Sequence, residues 1–342
     1  MNDPILECCK AELSARSLGQ HSLTKDTILE CCEAQLAART SLLQGHDSFA
    51  PPTNASSIHS DFFLTRFLER CPTWASDFER AVISPYGQAV VDAGFGSNLR
   101  FAIGLREGRA SITEGLPYLR VRYPSHEIGA KQSGAQVKVQ LPVSLEEAWL
   151  SYEVRPARGF PFNLGGKLPG LTGGTGNTGG KVPNGRDGWS VRFMWRREGV
   201  LSCYIYHRDQ KGTFGDDVIL QRKLLPDTWQ RLTLRVVLNS AGKNDGLVQA
   251  FVNGEIEPSC TRSGLCFRDE PGLQIDSFYL STFFGGSTAA WAPGIDTSMD
   301  FRAFAVARTR ELVEIPHSEC REFAHFFSSL HWFPLKRESI KK

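Results

Sequence analysis

Long apolar runs are missing from this 342-residue chain. None approaches the ~20 residues that a membrane-crossing helix requires, so an integral helical membrane protein is excluded. Methionine is scarce, with 3 residues, while Gly (32), Pro (18) and Phe (22) are abundant. That balance favours sheets joined by turns over a helical bundle. Metal-binding patterns are also missing: there is no CxxC and no Cys/His grouping with zinc spacing, so neither metal nor cofactor is expected. The opening MNDPILECCKAEL shows no basic stretch followed by an apolar one, so no secretory signal is visible. Cysteine is present but odd in number, at 9. Cys260 and Cys266 flank a TRSGL segment and are spaced for a bridge, whereas the vicinal pairs Cys8-Cys9 and Cys31-Cys32 cannot each close an unstrained one.

Charge is unevenly spread. Residues 1–95 carry 7 basic and 12 acidic side chains, whereas residues 96–310 carry 27 basic and 20 acidic ones. A basic middle in a near-neutral chain suits an anionic partner such as nucleic acid, acidic polysaccharide or phosphate; scattered solubilising charge is the alternative. No recognised nucleic-acid motif accompanies it, and neither nucleic acid nor membrane is expected as a partner.

Five segments are expected. Ile5–Leu13 (ILECCKAEL) recurs as Ile28–Leu36 (ILECCEAQL), each copy after a helix-start signal, so residues 1–43 read as a duplicated helical hairpin. Residues 44–60 are polar and turn-rich, a linker. Residues 61–95 read as a short helical lead-in with Phe62, Phe63, Phe67 and Leu68 buried. Residues 96–310 form the β domain, and residues 311–342 a helical tail.

Within the β domain the hydrophobic period is two. Strands are expected at Leu119–Tyr123, Ala135–Leu141, Trp149–Val154, Trp189–Trp195, Leu201–Tyr206, Gln230–Leu238, Gly246–Val252, Glu255–Glu257, Ser277–Phe284 and Met299–Ala307. Asn253-Gly254 marks a tight hairpin. Consecutive short strands without intervening helices imply an all-β fold, an antiparallel two-sheet β-jelly roll of the concanavalin-like sandwich type.

Alternation also sorts polar from apolar faces. Ser190, Arg192 and Arg196 oppose Val191, Phe193 and Trp195, and Tyr204, Tyr206 and Arg208 oppose Cys203, Ile205 and His207. Arg120 groups with Arg122, and Gln136 with Lys138 and Gln140. If these rows share one sheet face, they make a surface of cations, amides and phenols suited to repeated carboxylates. An ordinary solvated sheet face is the competing reading. Gly165–Gly176 (GGKLPGLTGGTG) lacks the GxxxxGK[ST] spacing of a phosphate loop. It reads instead as a mobile loop over a sheet edge that carries Lys167 toward a ligand, or as a plain glycine-rich crossover.

Taken together, Phe162–Leu171 (FNLGGKLPGL), Gly188–Trp195 (GWSVRFMW) and Tyr204–His207 (YIYH) resemble polysaccharide lyase family 14, the alginate and glucuronan lyases of jelly-roll fold. Leu119–Pro124, Asn244–Gly246, Ser281–Ser287 and Trp291–Pro293 fit the same pattern, so the resemblance spans roughly residues 95–308. It implies that Lys167, Ser190, Arg192, Tyr204 and Tyr206 match active-site positions, that the substrate is an acidic polysaccharide, and that the protein is extracellular.

A lyase of this kind removes the C5 proton of a 4-linked uronate and expels the C4 oxygen. The substrate carboxylate must first be neutralised, a task that suits Arg192 with help from Lys167 or Ser190. The base is expected to be Tyr204 or Tyr206, its phenol lowered by neighbouring cations, with Lys167 as the competing assignment. Arg120, Arg122, Gln136 and Lys138, with Ser190, are expected to bind the sugar chain. His207 reads as a core or second-layer residue. Glu146, Glu147 and Glu153 make no convincing hydrolase pair. A non-catalytic acidic-glycan-binding jelly roll is the alternative function.

Overall fold

The structure, a computed structural model, describes residues 73–76, 99–112 and 118–314. The duplicated hairpin, the linker, most of the helical lead-in and the tail past residue 314 lie outside the described residues. The described residues form two stacked antiparallel sheets. The first strands are β1 (Trp74–Ala75), β2 (Leu99–Ile103), β3 (Ala110–Ile112), β4 (Leu119–Tyr123), β5 (Ala135–Leu145) and β6 (Glu147–Pro156). Next come β7 (Gly165–Gly174), β8 (Gly188–Arg196), β9 (Val200–Tyr206), β10 (Asp216–Lys223) and β11 (Gln230–Val237). The last are β12 (Gly246–Val252), β13 (Glu255–Leu265), β14 (Ile275–Phe284) and β15 (Thr297–Ala307). Trp74–Ala75 pairs with β15 as a strand, a correction to the helical lead-in expected there.

One sheet runs β13-β12-β11-β6-β15-β4-β3, with β1 added against β15. The other runs β10-β9-β8-β7-β14-β5-β2. Between them lies one apolar core, fed by alternate residues of each strand: Val191, Phe193 and Trp195 from β8, Cys203 and Ile205 from β9, Tyr152 and Val154 from β6, and Phe301 from β15. The Asn253-Gly254 hairpin forms as read, with both residues at positive φ (52° and 83°) between paired Val252 and Glu255.

Two further expectations are overturned. The glycine-rich stretch is a central strand, β7, held between β8 and β14, and not a mobile loop. Its glycines are needed because neighbouring residues crowd the strand. A Cβ on Gly166 would lie 2.1 Å from the Trp195 ring, and one on Gly170 would lie 2.0 Å from the Val191 carbonyl oxygen. Glycine removes the alternation by which a strand is recognised, so β7 is invisible to periodicity. Nor do Cys260 and Cys266 bridge: both are free, Cys260 in the core on β13 and Cys266 just beyond it, where Asn239 Nδ2 donates to its sulfur.

Candidate active site

Residues directly opposite in antiparallel strands project to the same side of the sheet. In the β10–β2 sheet this places one unbroken row on the outer face: Tyr204 opposite Arg192, Arg192 opposite Gly170, Gly170 opposite Tyr279, Tyr279 opposite Lys138, and Lys138 opposite Phe101. It crosses five strand spacings, about 24 Å. A flanking row sets Tyr206, Ser190, Thr172, Ser277 and Gln140 in register, and another sets Ser202, Met194, Lys167 and Phe283. Lys167, Arg192, Tyr204 and Tyr206, read from separate segments, therefore converge.

Arg192 is the centre of the cluster. It is 2% exposed, Nη1 donates to Ser281 Oγ at 3.2 Å, and Nε has no hydrogen-bond partner. Its guanidinium lies 5.7 Å from the ring centroids of both Tyr204 and Tyr279. No carboxylate among the described residues pairs with it. Burial lowers its proton affinity, but a guanidinium stays charged in proteins, so a buried cation stands here with phenols around it and no counter-ion.

Lys167 Nζ lies 4.2 Å from the Tyr204 ring centroid and donates to Met194 Sδ at 3.1 Å, a partner without charge. Burial, helped by Arg192 and Arg196, holds its amine well below the ordinary lysine value. The Tyr204 phenol moves the other way: burial raises it, and the pull of Arg192 and Arg196 does not offset that. The expectation that nearby cations would lower this phenol into a working range is therefore corrected. Desolvation of the phenolate is the larger effect. Tyr204 retains 7% exposure, whereas Tyr206 has none, and their hydroxyls lie 3.5 Å apart.

Other expected site residues separate into three groups. Gln136 and Lys138 do lie on this face: Gln136 Nε2 donates to Tyr279 Oη at 2.7 Å, and Lys138 Nζ donates to the Gly174 carbonyl at 2.9 Å. Ser190 also faces this way but is fully buried, its hydroxyl donating to the Asn177 carbonyl at 2.7 Å. Arg120 and Arg122 do not belong to the site. Their strand, β4, is in the other sheet, where Leu119, Val121 and Tyr123 fill the core and turn both arginines to the opposite side of the molecule. There Arg120 forks Asp300, which Arg155 also contacts. Alternation tells in from out but not which sheet a strand joins.

The remaining residues have other partners. His207 is buried, with Nε2 2.9 Å from Asp216 Oδ2. Glu146, Glu147 and Glu153 are taken up by Arg268, Arg235, and the pair Arg231 and Arg302. Sequence reading missed Tyr279, Ser281 and Met194. Sorting the Ile275–Phe284 strand by parity places Ser277, Tyr279 and Ser281 on one side, so a signal for the first two existed.

Comparisons with known proteins cover the stretch of chain that carries Lys167, Arg192, Tyr204 and Tyr206. The profile of the family Polysaccharide lyase 14 matches residues 112–304. Among solved structures, the alginate lyase Aly36B is similar at 23% identity and a TM-score of 0.60, covering 70% of this chain and 98% of its own. A PL-14 alginate lyase from Aplysia kurodai matches at 24% identity and a TM-score of 0.60, over 70% and 99%. The alginate lyase vAL-1 from Chlorella virus matches at 21% and 0.57, over 70% and 100%. At these identities the likeness is one of fold. No curated protein matches the chain.

Proposed function

The chain belongs to the Polysaccharide lyase 14 family, and from that premise we propose that it cleaves a 4-linked polyuronate by β-elimination at the Lys167–Arg192–Tyr204 cluster. One observation carries this reading: Arg192, a buried guanidinium without a carboxylate partner and with a free Nε, in a row of phenols and beside a lysine of lowered basicity. Such a site lacks only an anion. A substrate carboxylate supplies it, and the fixed positive charge stabilises the further negative charge that develops as C5 loses its proton.

Lys167 is the base. Its amine is favoured in the neutral form, which can accept a proton, whereas the raised Tyr204 phenol is favoured as a donor. The C5–H electrons form the C4–C5 double bond, the C4–O bond breaks, and the departing oxygen takes the Tyr204 proton. Protonated Lys167 then returns a proton toward the phenolate, directly or through solvent. In glucuronate and mannuronate the C5 hydrogen and C4 oxygen lie on the same side of the ring, which suits a base and an acid side by side. The tyrosine-as-base reading is the weaker one, because nothing around Tyr204 favours its phenolate enough. Lys138, farther along the row, and Gln136, two residues away on β5 and opposite Ser281, are in line to meet neighbouring sugars. Alginate supports the substrate class: a variant of Aly36B was solved with an alginate tetrasaccharide. An extracellular location fits a polysaccharide substrate and belongs to the same proposal.

The test is incubation of the full chain with a panel of polyuronates, glucuronan and alginate included, with absorbance of 4,5-unsaturated ends as readout. Unsaturated product lost in Lys167→Ala and Arg192→Ala supports the assignment. Binding of a polyuronate with no unsaturated product from any panel member overturns it in favour of a glycan-binding protein.

A further inference from the structure

The arginines of the other sheet form a surface that the active site does not use. There β4, β15, β6 and β11 lie side by side. Their register sets Arg120 opposite Asp300, Asp300 opposite Arg155, Arg302 opposite Glu153, and Glu153 opposite Arg231. Arg122 follows two residues after Arg120, opposite Ser298. Residues of the other parity, Val121, Val154, Leu232 and Phe301 among them, fill the core, so all five arginines stand on the outer side. The patch crosses three strand spacings, about 14 Å.

Its charges do not balance. Asp300 accepts from Arg120 Nε (2.7 Å) and Nη2 (3.0 Å) and from Arg155 Nη2 (2.8 Å). Glu153 accepts from Arg231 Nη2 (3.0 Å) and Arg302 Nε (2.6 Å). Arg122 is exposed, and its guanidinium has no hydrogen-bond or ion-pair partner among the described residues. Asp227, exposed in the turn before β11, takes part in no ion pair among the described residues. Positive charge is in excess even when it is counted.

The guanidinium groups are also held in place. Arg302 and Arg155 lie 4.2 and 4.7 Å from the Trp229 ring centroid, and Arg155 and Arg120 lie 5.4 and 5.6 Å from that of Tyr118. The two rings meet edge-on at 5.8 Å. Side chains stacked in this way have already lost rotamer freedom, so a ligand that docks on them orders little more. Arg155, Arg231 and Arg302 each commit one N–H of five to a carboxylate and keep 26%, 37% and 36% of the side chain exposed. A network that served stability alone would gain little from exposed pairs and nothing from the surplus.

We propose that this face is a second, non-catalytic binding site for an acidic polysaccharide, whose carboxylates take the open guanidinium edges. The geometry of recognition is already present, since Arg120 forks the Asp300 carboxylate with two bonds. Forks spread over several strands suit a chain of repeated carboxylates better than one small anion. The choice of a polyuronate among such chains rests on the lyase reading of the opposite face. Held here, a polymer keeps the active face close to further substrate.

The test compares two forms of the full chain in gels containing glucuronan or alginate, each mobility taken relative to a polymer-free gel, over a range of salt. Arg192→Met leaves the polymer uncut. Adding Arg122→Gln, Arg155→Gln and Arg231→Gln removes the excess charge, yet Asp300 keeps Arg120 and Glu153 keeps Arg302, so no carboxylate is stranded. The apparent Kd is expected to rise about tenfold or more at low salt, and its salt dependence to weaken. Equal retardation of the two forms, or none of Arg192→Met, overturns the site. So does tighter binding of a double-stranded DNA fragment than of polyuronate at the same salt. If thermal unfolding shows that the added substitutions disrupt the fold, Arg122→Glu, at an exposed position without a partner, carries the same comparison. Wild type that releases no unsaturated product, with the difference between the two forms intact, refutes the lyase reading and leaves this site standing; product without that difference does the reverse.

Discussion

Replacing Arg192 with methionine should remove activity and leave the protein as stable as before, or more so. The side chain is 2% exposed, and its compensation is small: one hydrogen bond to Ser281 and two rings at 5.7 Å. A hydrogen bond from a charged group contributes about 1.5–3 kcal/mol and a desolvated cation–π contact up to about 2 kcal/mol. Against these stands a desolvation cost of several kcal/mol for a buried ion, together with an Nε left without a partner. The terms nearly cancel, and methionine fills similar volume without the charge. A stability change between zero and about 2 kcal/mol in the stabilising direction is therefore expected, which for a domain of this size raises Tm by up to a few degrees. Loss of the charge-stabilising group should lower kcat by at least about 10²–10³. Thermal unfolding and lyase rates on the same preparation measure both. A variant destabilised by several kcal/mol, or one that keeps its turnover, refutes the claim that Arg192 is retained for an anion at the expense of stability.

Further outcomes follow from the same geometry. With Lys167 as base, kcat/KM should climb with rising pH through a value below the ordinary lysine range, because the amine works only when deprotonated and its proton affinity is lowered; Lys167→Arg, which stays charged, should be inactive throughout. Tyr204→Phe should lower kcat by about 10²–10⁴ with KM little changed, as measured by release of unsaturated ends. Gly170→Ala forces a Cβ to 2.0 Å from the Val191 carbonyl oxygen, so β7 and β8 must part; calorimetry should record a loss of about 1–3 kcal/mol or more, and activity should fall as Arg192 shifts. On the other sheet, burial pushes the Glu153 carboxyl up, but hydrogen bonds from Arg302 and Arg231 outweigh it and hold the group low. Its stabilising contribution is present above the ordinary glutamate value and lost as pH falls through the lowered one, so Glu153→Gln should flatten the acid limb of the stability curve.

Much of this arrangement could be read from side-chain parity. Val191, Phe193 and Trp195 point inward because a half-buried strand must bury every second residue, and that puts Ser190 and Arg192 on the other face. Tyr204 and Tyr206 follow by the same rule. Several things escaped. The glycines of β7 carry no side chains to alternate, so a central strand read as a loop. Strand β10, an edge strand with half-exposed residues, has no strong periodic signal either. Parity also cannot assign a strand to a sheet, so Arg120 and Arg122 were grouped with residues on the far side of the molecule. The direction of the Tyr204 shift was beyond reach for another reason. It depends on how deeply the ring is buried, and only the packed structure supplies that.

Carrying out the digestion in heavy-oxygen water, followed by mass spectrometry of the fragments, tests the central claim most directly. Elimination adds no solvent oxygen across the cleaved bond, so every new non-reducing end should be unsaturated and, in fragments analysed before the anomeric hydroxyl exchanges with solvent, every new reducing end should carry ordinary oxygen, with neither formed by Arg192→Met. Heavy oxygen incorporated at the cleaved bond, with saturated ends, would mean that water attacks the sugar and that this cluster of cations and phenols performs some other chemistry.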